Sequence, residues 1–192
     1  MAKIILDANV FVYSILDEHP AALECERFII KNSQLYQISI TPLTPFEIYF
    51  ILWKTYGLLP EDAYRKVNSL LQSPIDMLSL YPDLIQETLV LVKEEKLDIN
   101  DALMVNLCLF EEIQIIGTDD GRLMRVAEKS GIITQSPITE ETRNRMRLWE
   151  EEKLAKKGLE RILHRIFLWL EKDNPNLANK LKEETSGFRY LP

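Results

Sequence analysis

The chain has 192 residues, 46% hydrophobic and 28% charged, a balance that fits one ordinary domain with an appendage and excludes extensive disorder. No apolar run approaches the roughly 20 residues needed to span a bilayer, and Met1–Asp7 turns acidic too early for a secretory signal, so a cytoplasmic protein without membrane contact is expected. The net charge of −7 is uneven: residues 138–192 hold 12 Lys and Arg against 10 Asp and Glu, whereas residues 1–137 hold 11 against 20.

In chain order, Lys3–Leu6 is a short apolar run suited to a buried parallel strand, ending at Asp7. Val10–Leu16 and Ala21–Lys31 read as helices and Tyr36–Thr41 as a second strand. Thr44-Pro45-Phe46-Glu47 opens a helix to about Tyr56, with proline at its first position, and Pro60 opens another to about Gln72. Ile75–Leu80 is the third strand, followed by helices over Pro82–Lys96 and Asn100–Glu111. Ile113–Thr118, Arg122–Ser130 and Gly131–Thr134 complete a strand–helix–strand unit. Strands alternating with helices predict an α/β fold around a mainly parallel sheet of about five strands.

Ser136-Pro137 divides a body, residues 1–137, from a helical C-terminal extension, residues 138–192. In the extension Thr139 can cap a helix with Glu140 and Glu141 in its first turn, and Gly158 interrupts it. Leu159–Leu170 is amphipathic, and Asn174-Pro175 starts a last helix to about Glu184. Arg143, Arg145, Arg147, Lys153, Lys156, Lys157, Arg161 and Arg165 alternate with acids, which suits a solvated, ion-paired helix rather than an RNA groove. Trp149, Phe167 and Trp169 are expected to pack the extension on the core or on a second subunit, making a homodimer the default.

The acids carry the functional signal. Asp7 ends strand one, Glu47 lies in the first turn after strand two, Asp101 opens the helix before strand four, and Asp119-Asp120 follow strand four. Ligand sites in open parallel sheets form outside the carboxyl ends of the strands, where the strand order reverses. Asn9 and Thr118 would stand beside these carboxylates. So acidic a body repels nucleic acid unless cations neutralise it, and all-oxygen ligands select hard ions, Mg²⁺ or Mn²⁺. Such ions bridge a scissile phosphate and activate water. Each acid also has a structural reading: Glu47 in a capping box with Thr44, Asp98 and Asp101 at a helix start, Asp119 or Asp120 as a cap, Asn9 as the cap after strand one. Asp7 has no such role if Asn9 caps.

Other chemistries lack their residues. Asp7-Ala8-Asn9 misses the second acid of a phosphoaspartate phosphatase, and no glycine-rich phosphate loop or Ser/His/Asp set is evident. His19 has a loop context and His164 an amphipathic-helix context. Cys25 and Cys108 lack metal or disulfide spacing and read as buried thiols.

Ile4-Ile5-Leu6-Asp7-Ala8-Asn9-Val10, Thr44-x-x-Glu47-Ile48, Asn100-Asp101-Ala102-Leu103 and Thr118-Asp119-Asp120, in this order and spacing over residues 3–135, resemble the PIN domain family. The resemblance implies a three-layer α/β/α sandwich and a Mg²⁺- or Mn²⁺-dependent endoribonuclease in which a metal-activated water attacks RNA. By position, Asp7, Glu47, Asp101 and Asp120 match the metal-binding acids, and Asn9 and Thr118 the supporting polar positions. Asp119 stands where Asn or Arg is frequent, so Asp119 and Asp120 both remain candidates for the fourth ligand. Arg122, and with it Arg125 and Lys129, could meet phosphates at the rim. Alternatives are a PIN-like scaffold with a silent site that binds RNA or a protein, and DNA cleavage. A toxin, with an antitoxin partner, and an RNA-processing enzyme share this core.

Overall fold

Alternation along the first strand divides the core into two layers. The computed structural model describes residues 1–154 and 159–185. Its elements are β1 (Lys3–Leu6), α1 (Ala8–Ile15), α2 (Ala22–Leu35), β2 (Gln37–Ile40), α3 (Thr44–Lys54), α4 (Pro60–Leu71), β3 (Asp76–Met77), α5 (Pro82–Glu95), α6 (Ile99–Phe110), β4 (Ile115–Gly117), α7 (Gly121–Lys129), β5 (Ile133–Gln135), α8 (Glu140–Lys153), α9 (Leu159–Asp173) and α10 (Pro175–Glu184). Ile4 and Leu6 belong to a buried cluster with Val10, Phe11, Cys25, Ile48 and Leu52, on the face covered by α1 to α4. Ile5 turns the other way, to Leu103, Leu107, Leu123 and Val126 on α6 and α7. The result is the three-layer α/β/α sandwich.

All five strands are parallel, in the order β3-β2-β1-β4-β5. The chain works outward from β1 to β3, then returns to lay β4 on the other side of β1, so the order reverses between β1 and β4. Ile5 pairs with Ile116 and Leu6 with Gly117, and the Asp7 N–H donates to the Gly117 carbonyl at 2.9 Å. Gly117 fits closely there: a Cβ would stand 2.5 Å from Leu6 Cδ2 and 2.8 Å from Phe28 Cε1, so a larger residue requires those side-chain ends to shift.

β3 is shorter than the expected Ile75–Leu80. It is an edge strand with one neighbour, and β2 ends at Ile40, so pairing stops after Met77 and a last bond from the Leu78 N–H to Ile40. The extension joins the first layer through Ile138 and Met146. Trp149 lies edge-on to His19, which stacks on Tyr13 with ring centroids 4.4 Å apart. His19 is in a loop but buried, and that burial pushes its pKa down to about 4. Lys156, Lys157, the Gly158 interruption and the Arg161 side chain lie outside the described residues. Among the described residues no helix is long and apolar enough to cross a membrane.

Candidate active site at the carboxyl end of the sheet

Because β1 and β4 are neighbours, Asp7 and Thr118 leave adjacent strand ends. The Thr118 hydroxyl, fully buried, donates to Asp7 Oδ2 at 2.7 Å and accepts from the Asp120 N–H at 2.9 Å. Asn9 Nδ2 reaches the same hydroxyl at 3.4 Å, while Asn9 Oδ1 is buried without a hydrogen-bond partner. Thr118 therefore ties the two strand ends and both acidic segments through one oxygen.

Several capping expectations are corrected. Asp7 itself occupies the position before α1, which begins at Ala8, so Asn9 lies inside the helix; the Asp7 side chain makes no capping bond. Thr44 is likewise inside α3, and Glu47 does not cap it. Instead Glu47 Oε2 accepts from Asn100 Nδ2, and Asp98 precedes α6 without a side-chain cap. Of these acids Asp120 alone caps, receiving the Arg122 and Leu123 N–H groups on Oδ1 at 2.7 and 2.9 Å. Capping through one oxygen leaves the other for a ligand. Asp119 turns the other way, accepting from Ser136 at 2.9 Å and from Arg143 of α8.

The acids form a gradient from a buried floor to an exposed rim. Asp7 is 4% exposed, Glu47 and Asp101 are half-buried, and Asp98 and Asp120 are exposed. Asp98, Asp101, Asp120, Gly121, Arg122 and Arg125 line an open cleft of about 580 Å³. Burial, with Glu47 and Asp120 adding to it, raises the Asp7 pKa to about 7 against the Thr118 hydrogen bond and the Ala8 N–H. Burial likewise raises Asp101 to about 8, reinforced by Asp7, Asp120, Glu47 and Asp98. Glu47 is also raised, by burial and by Asp98, with the Asn100 hydrogen bond opposing. Asp101 thus feels the other three expected acids, and Asp7 feels Glu47 and Asp120. Arg122 Nη1 donates to the Lys96 carbonyl at 2.8 Å, which holds its guanidinium at the rim.

Asp98 and Asn100 are the residues that sequence reasoning passed over, one as a cap and one as a motif letter. Their signal was the polar run Asp98-Ile99-Asn100-Asp101 at a helix start, which capping alone accounts for equally well.

The donor set fits a hard divalent cation: it is all oxygen, its carboxylates destabilise each other's charged forms, and the buried Asn9 Oδ1 lacks a donor. Among the described residues no three His, Cys, Asp or Glu side chains already converge on a metal position. A closed cage is not required for Mg²⁺, which is commonly held by one or two carboxylates, waters and substrate phosphate.

A family model for the PIN domain matches residues 4–129. No curated protein matches the chain in sequence. Among solved structures, the chain is similar to the VapC20 toxin of Mycobacterium tuberculosis, described as cleaving the sarcin–ricin loop, at 14% identity and a TM-score of 0.55, covering 68% of this chain and 96% of that one. It is similar to VapBC2 of Rickettsia felis, solved with a promoter DNA fragment, at 18% identity and 0.52, covering 70% and 98%. A Pyrobaculum aerophilum protein matches at 21% identity and 0.50, covering 69% and 90%. These likenesses bear on the fold.

Proposed function

The chain belongs to the PIN domain family, and from that premise we propose that it is a divalent-cation-dependent endoribonuclease whose site is the acidic cleft at the carboxyl ends of β1 and β4. The observation that carries the reading is the placement of Asp7, Glu47, Asp101 and Asp120 at the point where strand order reverses, where burial raises Asp101 with Asp7, Asp120 and Glu47 adding to it, and raises Asp7 with Glu47 and Asp120 adding to it. Four acids from four separate segments are costly to gather without a cation.

Asp7, Glu47, Asp101 and Asp120 would hold Mg²⁺ or Mn²⁺. When bound, the cation neutralises the scissile phosphate and makes a water acidic enough to attack it. The protein's own part is orientation. Thr118 holds Asp7 by one oxygen, the α7 N–H groups hold Asp120 by one oxygen, and Asp119 is kept out of the cleft by Ser136 and Arg143. Asp120 rather than Asp119 is therefore the fourth ligand. Arg122 and Arg125 supply positive charge at the rim for the flanking phosphates of an RNA strand.

The test is cleavage of a generic RNA with Mn²⁺, with EDTA, and by Asp7→Asn. Cleavage that needs Mn²⁺ and vanishes in the variant is expected. Metal-independent cleavage, or an unimpaired Asp7→Asn, overturns the proposal.

Residues 1–137 form the nuclease unit in this reading, and residues 138–192 an accessory to it. An antitoxin or other protein partner, and a homodimer, belong to the same proposal. They are supported by large exposed apolar side chains on α3 (Phe46, Phe50) and α9 (Trp169). A cytoplasmic location agrees with an RNA substrate.

A further inference from the structure

We propose that Asn100 is a positioning residue that holds the Glu47 carboxylate for the cation, as the end of a polarised hydrogen-bond chain that begins at Thr41. The inference rests on the metal-site reading above and adds to it a residue outside the acid set.

Thr41 is fully buried where β2 gives way to α3. Its Oγ1 accepts from the Leu43 N–H and the Thr44 N–H, each at 3.1 Å. Those two donors leave Thr41 its proton to give, and of the two oxygens beside it, Thr44 Oγ1 at 3.1 Å and Asn100 Oδ1, the Asn100 oxygen is the closer. The amide group facing it must then present oxygen, and Thr41 donates to Asn100 Oδ1. That choice fixes the other end: Nδ2 faces α3 and donates to Glu47 Oε2 at 2.5 Å. Asn100 is only 6% exposed. Reversing its amide would set N–H groups against a hydroxyl without lone pairs and a carbonyl oxygen against a carboxylate, a cost without solvent to soften it. The Thr41 backbone bonds and the closer approach of Asn100 than of Thr44 together set this polarity, which delivers a donor to Glu47.

This has two consequences for the site. Among the described residues the Glu47 side chain has no other hydrogen-bond partner, so one oxygen is held and Oε1 is left for the cation. Asn100 also sits beside Asp101 in the first turn of α6. The turn that brings Asp101 to the cleft therefore also clamps Glu47, and the spacing between the two acids is set through a neutral amide. A carboxylate in that position would repel both, and an apolar residue would leave Glu47 to swing away from its like-charged neighbours.

The experiment is a Mn²⁺ titration followed by electron paramagnetic resonance, with melting temperature in EDTA recorded for every variant. Asn100→Ala is expected to weaken Mn²⁺ binding by roughly 10–100-fold, the usual loss for a partner behind a ligand. Adding it to Glu47→Gln should then cause no further loss, because the carboxylate it positions is gone. Thr41→Val should weaken binding and Thr41→Ser restore it, which keeps the chain testable if Asn100→Ala folds poorly. Asp7→Asn serves as the reference. If Asp7→Asn loses Mn²⁺ while Asn100→Ala binds within about twofold of wild type, or if the Asn100 and Glu47 losses simply multiply, the positioning role is wrong and the metal site stands. If Asp7→Asn binds Mn²⁺ as wild type does, the metal site fails and this inference with it.

Discussion

Two groups of carboxylates in this molecule are held in opposite ways. At the joint between the extension and the body, Glu24 of α2 accepts from the Thr139 N–H at 2.9 Å, the Thr139 hydroxyl at 3.1 Å and the Thr142 hydroxyl at 2.8 Å. Burial pulls its pKa up, but those bonds and Arg145 more than offset it, and the pKa is lowered. At the end of the sheet, Asp7 and Asp101 rise to about 7 and about 8 because their surroundings are buried and acidic. A carboxylate answered by donors is complete and fastens two elements. One raised by burial and by neighbouring carboxylates beyond what its donors offset is incomplete, and its missing partner is positive. Asp119 and Asp120, adjacent in sequence, meet different partners: Asp119 is matched by Arg143 and Ser136, while Asp120 caps α7 through one oxygen and lines the acidic cleft.

The contrast can be broken in activity first. Asp101→Asn should lower RNA cleavage by more than about 100-fold, since even partners behind metal ligands cost roughly 10–100-fold. Glu24→Gln should leave the single-turnover cleavage rate close to wild type. An active Asp101→Asn, or a dead but folded Glu24→Gln, erases the distinction.

A smaller effect is expected in the pH dependence of stability. Asp7 and Asp101 have folded pKa values above their ordinary value of 3.8. Between about pH 4 and pH 8 the folded state therefore holds more protons than the unfolded one, and stability falls as pH rises. In EDTA, Asp7→Asn should gain on the wild type in melting temperature across that window, with the gap widest near pH 8. Saturating Mn²⁺ should close or reverse the gap. For Glu24 the sign is opposite: its contribution is present above the usual glutamate pKa and fades as acid protonates it.

The smallest effect sharpens the comparison most. Asp119→Asn removes a partly exposed ion pair with Arg143 and should cost at most about 1 kcal/mol in urea unfolding. Its Mn²⁺ affinity should be unchanged, whereas Asp120→Asn, which can still cap α7, should bind Mn²⁺ weakly.

Much of the fold was legible in the sequence. The apolar run Lys3–Leu6, the prolines at the starts of α3, α4 and α5, and the Thr139 cap each place an element, because they depend on local periodicity and on backbone groups a few residues away. The edge strand β3 was overextended, since how far a strand pairs depends on where its neighbour stops. The acids were also legible as a set, through their recurrence at strand ends and helix starts.

Their individual roles were not. Sequence spacing offered Asn9, Glu47 and Asp98 as caps, and chose Asp120 by motif while adjacency kept Asp119 beside it. Each choice turned on a partner far along the chain: Thr118 for Asp7, 111 residues away; Asn100 for Glu47, 53 away; Arg143 for Asp119, 24 away. The sequence by itself thus determined that a parallel α/β sheet would carry acids at its carboxyl end. Only the tertiary structure decided which acids meet a donor and which meet one another, because hydrogen bonds and Coulomb interactions act over a few ångströms of space, whatever the distance along the chain.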